Sequence, residues 1–171
     1  MHACDIPIAS GLEQSRVDAA YFCDAYRAPL SFARSSPVDC FFAIFGHRPG
    51  WMDFALNVRN RAASLAGLEA ATSKELRNVE RKHEYAVGDK IGVWPIFALT
   101  DTELIAGRNN SHLDFRLSVL KEGFGEASTV VVSTVCNVHN TFGKIYLCCV
   151  IPFHKWGLQL LIRRAVLAGR L

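Results

Sequence analysis

Long apolar runs are missing from this chain. The longest, IYLCCVI at 145–151, falls far short of the ~20 residues a membrane-spanning helix needs, so no membrane span is expected. The amino-terminal MHACDIPIASGLEQSR has no basic stretch followed by an apolar one and does not read as a secretory signal. Paired cysteines are missing too. None of Cys4, Cys23, Cys40, Cys136, Cys148 and Cys149 forms a C-x-x-C, and no two Cys/His pairs have finger-like spacing. That argues against a zinc finger, and the thiols read as reduced and mostly buried, as in a cytoplasmic protein. The formal net charge is +3, from 19 Lys and Arg against 16 Asp and Glu. No basic stripe is interleaved with aromatics, so nucleic acid is not an expected partner. There is no G-x-G-x-x-G and no internal repeat, and no metal or cofactor is expected.

What is present is oily. Of 171 residues, 50% are hydrophobic, and the mean hydropathy is +0.15. A chain of this length buries roughly 70% of the surface its unfolded form exposes, enough for one domain without staples. So apolar a composition points to a large interior, a cavity or a covered partner surface. Residues 1–15 read as a lead-in, and residues 16–171 as a single domain.

Within that domain, RVDAAYFCDAYRAPL (16–30) reads as a first strand running into a loop. Ser36 can cap a helix, Pro37 suits its first position, and Asp39 sits where a capping box wants an acid. The helix PVDCFFAIF then stops at Gly46. A second helix is expected over 51–67, and the charged stretch 69–85 reads as a surface connection. From Val87 the period changes to two. Strands are expected at 88–99, 102–107 and 112–120, with a Gly-containing loop at 121–128. A hairpin is expected from TVVVSTVCNVH (129–139) and FGKIYLCCVI (142–151), turning at Asn140-Thr141. Pro152 reads as the opening of a long terminal helix, largely apolar outside the stripe Lys155, Gln159 and Arg163. The order is that of an α+β helix-grip fold: a curved antiparallel sheet wrapped around a long C-terminal helix, with two short helices after the first strand.

Strand parity assigns the side chains. In HLDFRLSVL (112–120), Leu113, Phe115, Leu117 and Val119 alternate with His112, Asp114 and Arg116, so the apolar set should face the helix and the polar row the other side. In the expected hairpin, Cys136, Thr134 and Val132 share the helix-facing side. His154 projects inward, away from the polar stripe, and a buried imidazole needs a hydrogen-bond partner.

The pieces PVDCFFAIFGHRPGWMDFALNVRNRAASLAGL (37–68), VGDKIGVWPI (87–96), HLDFRLSV (112–119) and VHNTFGKIYLCCVIPFHK (138–155) occur in order and together resemble a bacterial domain-of-unknown-function family, number 2867 (DUF2867). The resemblance runs from about Asp18 to Leu167. It implies a START-like helix-grip domain of the SRPBCC superfamily, of a kind found C-terminal to short-chain NAD(P)-dependent oxidoreductases. It carries no assigned activity.

Three functions follow as expectations. The first is binding of a small apolar or amphipathic molecule in a cavity between sheet and helix, lined by His154, Phe115, Leu117, Thr134, Trp156 and Trp94. The second is an enzyme using a His/Asp/Arg group for acid–base chemistry or anion binding. The third is a docking domain for an oxidoreductase or a homodimer. His112, Asp114, Arg116, His139, Asn140 and Tyr146 are the candidate polar site or interface.

Overall fold

The computed structural model describes residues 1–31, 35–47, 49–52, 82–123 and 125–171. Seven strands form one antiparallel sheet: β1 (His2–Cys4), β2 (Phe22–Pro29), β3 (Lys90–Ile91), β4 (Trp94–Leu99), β5 (Glu103–Asn109), β6 (Leu113–Glu122) and β7 (Thr129–Val138). Their spatial order is β1-β2-β7-β6-β5-β4-β3. The described helices are α1 (Gln14–Asp18), α2 (Pro37–Phe45) and α3 (Thr141–Leu167). The architecture is α+β, a curved sheet with a long C-terminal helix on one face, as in a helix-grip fold. The helix expected over 51–67 and the connection 69–85 lie outside the described residues, apart from 51–52 and 82–85.

Local chemistry explains α2. The Ser36 hydroxyl accepts the Asp39 N–H at 3.1 Å, and the Asp39 carboxylate accepts the Ser36 N–H at 2.7 Å. These bonds satisfy donors that no helical carbonyl can reach. Cys40, Phe41 and Ile44 turn to the sheet and are buried.

The expected hairpin does not form. Residues 129–138 are a strand, but 141–167 are one continuous helix, and Pro152 lies inside it. β7 pairs instead with β2 and β6. Asn140 is not a turn residue; it caps α3, its Oδ1 accepting the Gly143 N–H at 2.9 Å. IYLCCVI is rich in strand-forming residue types, and that preference is overridden by packing. Gly143 permits a close approach here. A Cβ at this position would run into the His112 carbonyl and the Val138 side chain. Two smaller boundaries also differ. The expected strand 16–30 is α1 followed by β2, and 88–99 is split into β3 and β4 by a turn at Gly92 (φ 62°).

The two faces of the sheet are covered differently. Toward the helices, Leu117 and Val119 of β6, Val130 and Val132 of β7, and Leu104 and Ala106 of β5 meet Ile44 of α2 and Leu158, Leu161, Ile162 and Ala165 of α3. On the opposite face, Ile105 and Val135 pack under Leu12, with Ile6, Val17 and Ala20 around them. Residues 1–15 are thus part of the fold: β1 pairs with β2, and the stretch through α1 forms a cover for the outer face.

α3 is buried unevenly. Ile162 is fully buried, whereas Ile145 is 60% exposed. Ile162→Ala is expected to cost about 2–5 kcal/mol of stability and Ile145→Ala less than about 0.5 kcal/mol. Denaturant unfolding of both variants checks this; equal losses would contradict one-sided packing.

Candidate functional site

β2 and β7 place Asp24 opposite Thr134 in register. Both strands carry apolar neighbours of the same parity, Tyr26 and Val132, into the core beneath α3. Asp24 and Thr134 therefore point toward the helix. There His154 Nε2 lies 3.3 Å from Asp24 Oδ1, and the Gln159 amide donates to the Tyr26 hydroxyl at 3.2 Å. Phe22 meets the His154 ring edge-on at 5.6 Å between centroids. The Asp24 side chain is 9% exposed and that of His154 26%, so the group reaches from the core toward the surface.

Two oxygens in this group are left over. Asp24 Oδ2 and Thr134 Oγ1 are buried and have no hydrogen-bond partner among the described residues. A buried polar atom left unpaired costs about 1–3 kcal/mol. Burial also pushes the Tyr26 hydroxyl above its ordinary pKa; the bond from Gln159 opposes this, and the Asp24 carboxylate reinforces it. Tyr26 is thus held as a neutral hydroxyl near the unpaired pair. The arrangement offers an acceptor-rich carboxylate, two hydroxyls and an imidazole within one apolar setting.

The outer face carries a second polar group with a different character. Glu103 accepts from Ser10 Oγ at 2.5 Å, from the Gly11 N–H at 2.6 Å and from Ser118 Oγ at 2.5 Å. Asp114 lies 3.1 Å from His139 Nε2 and 3.6 Å from Arg16 of α1. Asn137 donates to the Arg16 carbonyl at 2.9 Å. Arg116 turns to Asn109 Oδ1 at 2.8 Å and lies 3.7 Å over the Phe97 ring. Each of these groups ties the amino-terminal cover or a neighbouring strand to the sheet, so their bonds are already used within the fold.

The sequence candidates are thereby dispersed. Phe115, Leu117 and Trp94 belong to the helix-side core, where Trp94 meets Phe41 and Phe115 edge-on at 6.1 and 5.5 Å. Thr134 and His154 come together at Asp24. Trp156 is separate from them: it is 56% exposed and stacks on Trp51 at 4.8 Å. Asp114 and Arg116 occupy the outer face, but His112 does not join them. Its buried ring packs against Phe142 and Tyr146 of α3, at 5.9 and 6.1 Å, because it precedes β6 and escapes strand parity. Tyr146 is partly buried with Leu113 and Leu147. His112, Arg116, His139 and His154 do not converge on one site.

Sequence reasoning missed Asp24, Tyr26 and Glu103. For the first two a signal exists: Phe22, Asp24, Tyr26 and Ala28 share one strand face, which puts an acid among apolar neighbours. Among the described residues no group of three or more His, Cys, Asp or Glu side chains could hold a metal ion. The cysteines are all free, but only Cys40 and Cys136 are buried; Cys23, Cys148 and Cys149 are exposed, contrary to the expectation of mostly buried thiols. Burial pushes the Cys136 thiol up to about 12 and that of Cys40 to about 11, which leaves both protonated and unreactive.

Sheet, C-terminal helix and a polar group set between them define an α+β domain of helix-grip type. The chain belongs to the family described as "Protein of unknown function (DUF2867)", whose model matches residues 16–159. No curated protein and no solved structure matches it.

Glu103→Ala removes a charged acceptor from three donors, and should cost about 2–3 kcal/mol. It should also speed tryptic cleavage after Arg16; unchanged cleavage would mean the cover is held elsewhere. His112 has its pKa lowered, first by burial and second by the nearby His139. The unfolded chain therefore binds the proton more readily than the folded one. Stability is complete above the ordinary value of 6.5 and falls as the pH drops through it. His112→Phe should flatten the dependence of the unfolding midpoint on pH between about 7.5 and 5.

Proposed function

We propose that the protein binds a small amphipathic molecule between the sheet and α3, with its polar end at Asp24, Thr134 and His154. The observation that carries this reading is the pair of buried oxygens, Asp24 Oδ2 and Thr134 Oγ1, on adjacent strands, neither with a hydrogen-bond partner among the described residues. Buried polar atoms are almost always satisfied. A carboxylate oxygen can only accept, so the molecule that completes the site must bring an N–H or O–H donor. Tyr26 and Gln159 bond one another beside it, and His154 is oriented by Asp24.

The remainder of the molecule would lie along apolar wall. Leu117 and Phe115 follow on the same face of β6, and Trp94 beyond them. A largely apolar lining with a few convergent polar groups is the usual makeup of a ligand site. An amine or a hydroxyl on a short hydrocarbon body meets both demands. This reading groups the chain with START-like helix-grip proteins of the SRPBCC superfamily.

The Asp24–His154 contact favours one second reading. A carboxylate that orients an imidazole is also the arrangement of a general base. In that case His154→Gln should abolish turnover of a bound molecule and leave its affinity within about threefold.

Thermal unfolding in the presence of alkylamines of four to eight carbons, against the matched carboxylates, tests the binding reading. The amines should raise the midpoint by several degrees, increasingly with chain length, and the carboxylates should not. Asp24→Ala and Thr134→Val should each remove the effect. Equal response to both series, or a response that survives Asp24→Ala, would defeat it.

A further inference from the structure

We propose that the outward face of α3 docks on an anionic phospholipid surface, the helix lying in the plane of the membrane. The argument begins with what this face exposes. Ile145 is 60%, Phe153 75% and Trp156 56% exposed, with Phe142 at 40%, and Cys148 and Cys149 are exposed among them. At 100° per residue, Ile145, Cys149, Pro152 and Trp156 fall within roughly 60° of one another, a single ridge along the helix. From Phe142 to Trp156 the ridge is about 20 Å long. Trp51, 44% exposed and stacked on Trp156, adds a second indole to one end.

Charge selects the occupant. The 27 residues of α3 contain no Asp or Glu. They contain Lys144, Lys155, Arg163 and Arg164, all exposed. On the helical wheel Lys144 and Lys155 lie to one side of the ridge, Arg164 lies to the other, and Arg163 continues its line. Lys155 Nζ also lies 5.5 Å from the Phe22 ring centroid, a cation–π contact at the border between the helix and β2. An exposed Trp/Phe/Ile ridge whose only charged neighbours on α3 itself are cations fits the headgroup zone of an anionic bilayer. It fits a protein partner less well, since lysine is depleted at protein interfaces.

The packing decides between lying on a membrane and crossing one. By length and composition α3 could cross. Its opposite face, however, carries Leu147, Leu158, Leu161, Ile162 and Ala165, which are buried in the domain. Only one side is available, so the helix can rest in the interface while the sheet stays above it. Asp24 and His154 are on the protein side, so the proposal is independent of the ligand site.

Co-sedimentation of the whole chain with phosphatidylcholine vesicles, with and without 30 mol% phosphatidylglycerol (about a third anionic lipid), tests this. Binding to the anionic vesicles should be at least tenfold tighter than to the neutral ones, and should weaken when salt is raised to about 0.5 M, where the Debye length is short. Phe153→Glu with Trp156→Glu should abolish it, and Lys144→Glu with Lys155→Glu should reduce it at least tenfold, with circular dichroism melts unchanged in the charge-only variant. Equal affinity for both vesicle types, or binding that survives both double substitutions, would overturn the proposal. So would a stable homodimer that the Phe153/Trp156 substitutions dissociate, together with no vesicle binding; a second copy would then be the occupant.

Discussion

β7 is the strand on which the rest of the structure depends. It lies between β2 and β6 and is buried on both faces along most of its length. Neither face can be left to water, because each carries valines whose burial contributes about 1.5–2 kcal/mol apiece. Two covers are therefore needed. α2 and α3 supply one, and the amino-terminal stretch through α1 supplies the other. The polar groups of the outer face serve this second cover. Glu103 grips Ser10 and Gly11, and Asp114 holds Arg16.

Two-sided burial also explains where an unused polar group can occur. On the outer face Glu103 and Asp114 meet donors from the cover itself, and the Ser133 hydroxyl is what is left there without a partner among the described residues. On the inner face the cover is a helix, and a helix presents side chains but no free backbone donors along its middle. Asp24 meets His154 and, beside it, the Tyr26 hydroxyl there, and its Oδ2, next to Thr134, has no hydrogen-bond partner among the described residues. The same helix turns an apolar, cationic side outward, since only its opposite side packs on the domain.

Much of this was legible from particular residues. The Ser36/Asp39 box and Pro37 marked α2 to the residue. Alternation in 113–119 and in 130–136 assigned Phe115, Leu117, Val119, Val132 and Thr134 to the helix side, and His154 was expected to turn inward. The start of α3 was misread, because its β-branched and aromatic residues suit a strand equally well and Pro152 mimics a helix opening. A contrary sign was present. Gly143, Leu147, Ile151, His154, Leu158, Leu161 and Ala165 recur every three or four residues, so one helical stripe runs through the proline. His112 was misplaced because parity was extended one residue beyond the end of its strand.

By itself the sequence determined the alternation of β6 and β7, the cap of α2 and the inward turn of His154. These are local properties, set by side-chain shape and by hydrogen bonds a few residues apart. Only the tertiary structure decided which strands pair, that residues 6–20 cover the outer face, and that Asp24 meets Thr134 and His154. Asp24 and His154 are 130 positions apart, and β2 pairs with β7 across most of the chain. Contacts at that separation depend on how all the apolar surfaces are satisfied at once, and no local pattern encodes them.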